Sequence, residues 1–600
     1  MVTRHLVTTA IESTWKVDVP ILFLGEWCRK HDRQDNWSSL DAKVIPYHWD
    51  DRTKLYRDYL YLQNTYEELL NELTTELNKY HGKAFSNRYW RILLGPWLGY
   101  FIQVLFDRWE MLHRAVTDYE ISGVSVVTGN KQRVTVNDMN EFLKSFITDE
   151  WNEAICGELL EWMGVNIIQI SAQSNTDTAL QNTTVAHARR KHGKFRSAIR
   201  TSLDIISKAI KTDQDFFFIS SYIPHKQELL LQLKLRQLPT FWRSVQAPIC
   251  ASDRLMRSRS EKEVIQPNDF ISVARVMINR HIPIVYREGF SALSDVVRTL
   301  GWPKRPKAIF TGIAWSSDDV FKAWAAEKVE NHSPLIVVQH GGNYGMSRWE
   351  FTEDHQIAIA DCFLTWGWDT PGKQNVVPYG MIKHLGTTQT FSPRGGALLI
   401  ETAAPQTSYR MLSLPVAHQW LQYFEDQFRF VQALPNKLQS QLLVRLHSND
   451  FGWYQIQRWK TVFPFIRLDE GQIPINSRIS QSRVCISAYN GTALLESMAM
   501  NIPTIMFWNP EHWELRDAAI PDFEKLTSVE IFHSTPESAA KHLSAIWDDV
   551  NLWWLDESTQ RVRQEFCQKY ARVPENPLKT LANVISDVAA GHFGDRATEH

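Results

Sequence analysis

Ser487-Ala-Tyr-Asn-Gly-Thr-Ala-Leu-Leu-Glu-Ser-Met-Ala-Met-Asn-Ile-Pro-Thr-Ile-Met506 is the run that decides the fold. A short apolar strand, Val484-Cys-Ile-Ser487, ends where it begins, and a polar turn containing Asn490 and Gly491 leads into an apolar helix starting near Thr492. The helix gives out at Met500-Asn501, and Pro503-Thr-Ile-Met-Phe507 opens another strand. Strand, tight turn, helix and strand make one unit of a parallel sheet. Gly491 can take φ > 0 and let backbone approach a ligand. Thr492 can cap the helix, whose first free N–H groups form an anion site suited to a phosphate or diphosphate. Glu496, one turn in, is placed to accept hydrogen bonds from ribose or sugar hydroxyls, with Ser487 and Asn490 beside the same turn.

The same rhythm extends outward in both directions. Ala397-Leu-Leu-Ile400, Leu442-Leu-Val-Arg-Leu446, Phe465-Ile-Arg-Leu468 and the two strands above alternate with helical patterns, so residues 396–540 read as a Rossmann-like unit. Arg445 and His447 alternate on one strand, share a face and are suited, with Ser448, to a donor phosphate. The turn-rich Met381–Gly396 is the expected linker, and 541–600 read as C-terminal helices. Upstream, Asp215–Ser220, Lys307–Thr311, Leu335–Gln339 and Cys362–Trp366 read as strands of a second parallel sheet, extending an N-terminal lobe over 1–385. Its first part adds the strands Pro20–Leu24 and Lys43–Tyr47 and two long helical patterns, about Leu55–Tyr80 and Tyr89–Val116. The predicted class is α/β: two Rossmann-like lobes, extra long helices in the first and a helical tail. In such sheets ligands bind at the carboxyl ends of the strands, here in the cleft between lobes.

Composition bounds the function. With 44% hydrophobic and 22% charged residues the 600-residue chain is an ordinary globular protein. Lys+Arg 65 against Asp+Glu 67 gives a net charge of −2, which offers nothing to a nucleic-acid backbone. Six cysteines stand far apart without a C-x-x-C pair, a reduced cytoplasmic pattern with no zinc signal. The start lacks the apolar core of a signal peptide. The longest apolar run, Ile92–Phe106, is too short to span a bilayer and contains Pro96, so it reads as a core helix, with membrane-surface docking as the alternative. The 24 Trp serve either packed cores or sugar platforms.

Three further constellations carry chemistry. A buried strand delivers Gln339-His340 into Gly341-Gly342-Asn343-Tyr344-Gly345, a loop that bares backbone N–H groups to an anion while His340 serves as general acid, base or phosphate donor. Glu26, at the carboxyl end of Pro20–Leu24 taken as the first strand, is the candidate base for an acceptor hydroxyl, with His48, Asp50 and Asp51 in reserve. Asp318-Asp319 reads as helix-start charge rather than a metal motif, so no metal and no cofactor are assigned. Trp366-Gly-Trp368 would either stack on a sugar or base or pack in the core.

The run G-T-x-x-x-E-S-M-A-x-x-I-P-T-I at Gly491–Ile505 resembles the donor-nucleotide signature of glycosyltransferases with the GT-B architecture. The His340-Gly341 loop resembles the H-G motif of capsule Kdo transferases and teichoic-acid-type polyol-phosphate transferases. His447-Ser448 resembles the H-P motif of CMP-donor transferases, with serine in place of proline. Taken with Leu24-Gly-Glu-Trp-Cys28 and Arg88–Trp97, the chain resembles a family of about 600-residue transferases encoded in bacterial O-antigen and surface-polysaccharide clusters. The resemblance implies a metal-independent glycosyltransferase taking a nucleotide sugar, with a CMP-activated ulosonic acid favoured, to a glycan or lipid-linked acceptor in the cytoplasm or at the inner membrane face. Its rivals are a polyol-phosphate transferase with a CDP-linked donor, a nucleotide-sugar 2-epimerase, and a non-catalytic glycan-assembly partner.

Overall fold

The computed structural model describes residues 2–129, 134–171, 213–253, 257, 269–384 and 392–591. Its named strands pair in parallel throughout and form three sheets. In the first, β1 (Arg4–Val7), β2 (Ile21–Phe23), β3 (Ala42–Val44), β4 (Ile121–Val127) and β5 (Ile167–Ile170) lie in the order 3-2-1-4-5. The second runs straight from β6 (Phe217–Ile219) through β7 (Ile309–Thr311), β8 (Leu335–Val338) and β9 (Cys362–Thr365) to β10 (Val376–Pro378). The third holds β11 (Ala397–Ile400), β12 (Leu442–Arg445), β13 (Arg467–Asp469), β14 (Val484–Ser487), β15 (Thr504–Phe507) and β16 (Phe532–His533), in the order 13-12-11-14-15-16.

The α/β class read from the sequence is therefore present, but residues 1–385 carry two sheets rather than one lobe with insertions. The reason is the stretch between the sheets. Two long helices, α1 (Arg52–His81) and α2 (Asn87–Asp118), leave the first sheet after β3. Asp51 caps α1 by accepting from the Lys54 amide at 2.9 Å, and Ser86 caps α2 by accepting from Tyr89 at 3.2 Å. The apolar run Ile92–Phe106 lies inside α2 and is buried along its whole length, so α2 is a core helix clad on all sides. It packs between α3 (Asp149–Trp162), behind the first sheet, and α5 (Asp319–Glu330) and α6 (Phe351–Ile359), behind the second. Phe351 lies so close to Gly99 that any side chain there would enter its ring.

One apolar core runs through all three sheets, from Leu6 through Val337 to Leu399. Trp49, Trp90, Trp97, Trp420, Trp459 and Trp554 are fully buried in it, so much of the high tryptophan content is packing. The tail does not stand apart. Its last described helix, Pro577–Ala589, buries Leu581, Ile585 and Val588 against Phe218, Ile336 and Leu364 of the second sheet. Residues 385–391 of the expected linker lie outside the described residues. Among the described residues no helix is long and apolar enough to cross a membrane.

Polar ties join the sheets at their carboxyl ends. Arg52, the first residue of α1, forks onto Glu514 at 2.7 and 2.8 Å and donates to Gln419 at 2.9 Å. Arg516 donates to Glu353 of α6 at 2.7 Å, and Glu353 accepts from the Gly345 amide at 2.8 Å.

A buried pair sets part of the acid stability. Glu158 of α3 meets Arg280 at 3.0 Å and His281 at 3.2 Å, both at the end of α4 (Phe270–His281). Burial pushes its carboxyl up, but His281 and Arg280 outweigh burial and hold the pKa at about 2, against 4.5 when free. A depressed carboxyl stabilises above its unfolded pKa, and that contribution is lost as pH falls from about 4.5 to about 2. The shift corresponds to roughly 3 kcal/mol. Glu158→Gln is expected to flatten this acid limb of the melting temperature; an unchanged slope would show that the pair contributes nothing to it.

Candidate functional site

The two loops singled out from the sequence, one after β8 and one after β14, meet in space. Gly342 lies against the backbone of the third sheet: a Cβ there would sit 2.3 Å from the Gly491 carbonyl carbon and the Thr492 nitrogen. Glycine is required at 342 because the two main chains touch.

The exit of β8 is rigid. Gln339 accepts from the Trp366 amide and the Trp368 indole, both at 2.8 Å, while its carbonyl accepts from the Trp366 indole at 3.0 Å. Trp366 and Trp368 are 1% and 2% exposed, so they brace the loop from within and offer no face to a sugar. Gly345 has φ +76° and packs under the Trp368 ring. Tyr344, 3% exposed, shares a hydrogen bond with Thr352 at 2.9 Å and accepts from Gln356 at 2.7 Å. Gly341 contributes its carbonyl to the Gln339 amide at 2.8 Å.

His340 projects from this brace. Its ring stacks parallel to Tyr222, 5.9 Å between centroids, with Trp315 and Tyr344 at its sides. Nδ1 is buried without a hydrogen-bond partner among the described residues. Burial, then the charges of Arg410 and Lys383, lower its pKa to about 3, so the imidazole is neutral at physiological pH. Tyr222 has a left-handed backbone, φ +61°, as does Ser220 two residues earlier. Strain of that kind, about 1–3 kcal/mol per residue, gathers at working sites.

On the facing side, α7 (Thr492–Ala499) begins where expected, with two differences in detail. Gly491 is extended, φ −160°, and not left-handed. Its lack of a side chain matters for clearance from the Tyr489 ring. Gly491, not Thr492, is the N-cap residue, so no side-chain cap closes this end, although the Tyr489 hydroxyl lies against the Ala493 amide. Asn490 is 4% exposed, and its Oδ1 is buried with no partner among the described residues. Ser487 is bonded within its own turn, donating to the Tyr489 carbonyl at 2.9 Å. Glu496 is 5% exposed, and its charge adds to burial in pushing the Tyr489 phenol up to about 12.

The other sequence candidates stand elsewhere, and all but Ser448 are committed to protein. Arg445 pairs with Asp469 at 2.8 Å and donates to the Gly471 carbonyl at 3.0 Å, so its fork is already filled. His447 Nδ1 bonds within its own loop to Asn449, and Ser448 is exposed beneath Gly471. Glu26 is chelated by Arg29 and lines a cleft of about 730 Å³ between the first and third sheets, shared with Trp37, Arg458 and His512. None of the His340–Gly491 group lines that cleft. Of the reserves, His48 is buried on Asp107 at 2.9 Å, Asp50 meets His418 at 3.4 Å, and Asp51 is the α1 cap. Asp318 caps α5 by accepting from Phe321 at 2.9 Å, and Asp319 is buried on Lys322 at 2.7 Å.

One group of residues escaped the sequence reading. Beyond β11 the chain Glu401-Thr-Ala-Ala-Pro-Gln-Thr-Ser-Tyr-Arg410 runs towards His340. Thr407 and Ser408 are 8% and 3% exposed, and their hydroxyls, like Arg410 Nε, are buried without partners among the described residues. The signal was available: β11 opens the third unit, and the strand that opens a doubly wound unit flanks its ligand crevice.

No curated protein matches the chain. Among solved structures it is similar to the wall teichoic acid polymerase TagF. A variant of that protein soaked with CDPG gives TM-score 0.27 at 10% identity, covering 44% of this chain and 69% of the other. TagF itself gives TM-score 0.25 at 9% identity, covering 48% and 74%. A likeness at that level carries no argument about fold or activity. The family comparison reaches much further: the profile described as LIC12162 family transferase matches residues 4–585, almost the whole length, and the chain belongs to that transferase family.

Proposed function

We propose that this transferase moves a sugar from a nucleotide-activated donor to a hydroxyl of a surface-glycan acceptor, with the donor phosphate between the His340 loop and the start of α7. The observation that carries the reading is the contact of Gly342 with Gly491–Thr492, which sets a neutral, partly unpartnered histidine opposite a helix N-terminus without a side-chain cap. The acceptor oxygen bonds to the anomeric carbon and its proton passes to His340, whose imidazole gains basicity when the bound donor phosphate offsets the Arg410 charge that lowers it. The bond from that carbon to the donor phosphate oxygen breaks, and the nucleotide leaves with the electron pair. Helix amides stabilise the phosphate charge. This assigns the base to His340 rather than Glu26, whose carboxylate Arg29 occupies, and leaves the cleft beside Glu26 to the acceptor chain. Asp318 and Asp319 are spent on a cap and a lysine.

The resemblance of the His340 loop to Kdo transferases favours a CMP-activated ulosonic acid as donor and a cytoplasmic site of action on a lipid-linked glycan. Thermal shift of the full chain against CMP, CDP, UDP, GDP and dTDP tests the donor site, since a ligand of the native state raises Tm. Stabilisation by CMP is the expected result. Preference for another nucleotide would discard the ulosonic donor, and no response to any of them would sink the transferase site. Where donor is consumed, phosphorus in the glycan product would mark polyol-phosphate transfer instead. Because burial and the charges of Arg410 and Lys383 hold the free His340 imidazole well below its usual range, kcat/KM is expected to hold level from pH 8 down past 6.5, where an ordinary histidine would lose it.

A further inference from the structure

In the third sheet the strand order reverses between β11 and β14, which pair through Ile400 and Ser487. A crevice must open at the carboxyl ends of those two strands, because their connections depart to opposite sides. The second sheet, ordered without reversal, has no such point. The loop after β14 carries Asn490, Gly491 and the start of α7. The loop after β11 carries Thr407, Ser408 and Arg410.

Both loops hold buried polar atoms with nothing to bond. Asn490 Oδ1, Thr407 Oγ1, Ser408 Oγ and Arg410 Nε all lack partners among the described residues, as does His340 Nδ1 across the contact. An unpaired buried polar atom costs about 1–3 kcal/mol, and four around one crevice, with a fifth facing them, are a set awaiting a ligand. The contacts Arg410 does make are slack. Its Nη1 lies 3.5 Å from the Tyr100 hydroxyl, 3.4 Å from Thr352 Oγ1 and 4.0 Å from Glu350 Oε1. Glu350 is itself taken up by Asn343 at 2.7 Å and by Thr352. The guanidinium is three-quarters buried, with a side-chain exposure of 24%, yet among the described residues its ion-pair partner Glu350 stands off at 4.0 Å.

We infer that Arg410, with Thr407 and Ser408, is the phosphoryl-binding element of this crevice, anchoring the phosphate of the donor in the role that spacing alone suggests for Arg445 and His447. A guanidinium fork, two hydroxyls and helix amides offer more donors than a carboxylate can accept and suit the oxygens of a phosphoryl group. The inference takes the identity of the ligand from the transferase reading, but its chemistry, an oxyanion of phosphorus, stands on these residues alone.

Calorimetric titration of the full-length chain separates the two. The ligands are inorganic pyrophosphate, the five nucleotides and their parent nucleosides, against wild type, Arg410→Gln and Arg410→Lys. Arg410→Gln is expected to weaken pyrophosphate and the preferred nucleotide by roughly tenfold or more while leaving the nucleoside unchanged. Arg410→Lys, which keeps the charge but loses the fork, should fall between. Equal phosphoryl affinity in all three proteins, whatever happens to Tm, would overturn the inference and leave the transferase reading intact. Pyrophosphate bound by wild type and lost in Arg410→Gln, with no nucleotide bound, would support the inference and sink that reading. No binding of either ligand to wild type would sink both. Should Arg410→Gln fail to fold, Thr407→Val with Ser408→Ala gives the same readout, with the same selective loss expected and unchanged affinity counting against the inference.

Discussion

Gly342→Val is expected to lower transfer activity by about 100-fold or more while leaving a folded protein. The Cβ of any substitute would sit 2.3 Å from Gly491 C and Thr492 N and 2.6 Å from Gly491 O, all backbone atoms that cannot rotate away. Relief requires the His340 loop and α7 to part by about 1 Å, and misplacement on that scale costs on the order of 100-fold in rate. Overpacking of this kind costs about 1–3 kcal/mol, so Tm should fall by about 1–2 °C without loss of helical signal. Gly341→Ala is the matched control for folding. Its Cβ would meet nothing nearer than the Asn343 side chain at 3.8 Å, and Tm should not move. Full activity in Gly342→Val with an unshifted Tm would mean that the two loops do not touch.

Asp319→Ala should destabilise the fold more than any change at the loop contact, by about 3–5 kcal/mol. Asp319, 3% exposed, accepts from Lys322 at 2.7 Å, from the Tyr286 hydroxyl at 2.6 Å and from the Met139 amide at 2.8 Å. Lys322, on the same helix, is fully buried, and its remaining bond is to the Tyr286 hydroxyl at 3.0 Å. Truncating the carboxylate strands a buried ammonium, a phenol and an amide together, the costly case of breaking a buried pair from one side. Removing both charges with Asp319→Leu and Lys322→Met should recover much of the loss. Chemical denaturation measures both, and a double variant as unstable as the single one would contradict the stranded-charge account.

Local pattern told more of this molecule than long-range pairing. Strand-length apolar runs and helical periodicity placed β2, β3, β6–β9, β11–β15 and α7 within a few residues, because one buried face imposes them, but β1, β4, β5, β10 and β16 were not read as strands. Helix caps such as Asp318 were legible for the same reason. What pattern does not carry is which strand lies beside which, so the first two sheets were read as one lobe: nothing in the run Ile92–Phe106 says that it parts two sheets rather than decorating one. The candidate site divides in the same way. His340, Gly342, Asn490 and Gly491 were visible because glycine and histidine after a strand are locally unusual. Arg445 and His447 looked equally good, but Asp469, which neutralises Arg445, comes from the neighbouring strand β13 and is invisible without the pairing. Arg410 was missed for the converse reason. An arginine ten residues past a strand is unremarked until the strand order shows that β11 borders the crevice.

The fork of Arg52 on Glu514 joins residues 462 positions apart in the chain. A ribosome adds about 5–20 residues per second, so Arg52 leaves the tunnel roughly 25–90 s before its partner is made. For that interval the first sheet and its two long helices exist without the third, and the α2 face that meets α5 and α6 waits for residues not yet translated. The N-terminal third of the chain thus passes part of its own synthesis with that face unburied. A stalled nascent chain ending before α5 should expose apolar surface that the finished protein hides.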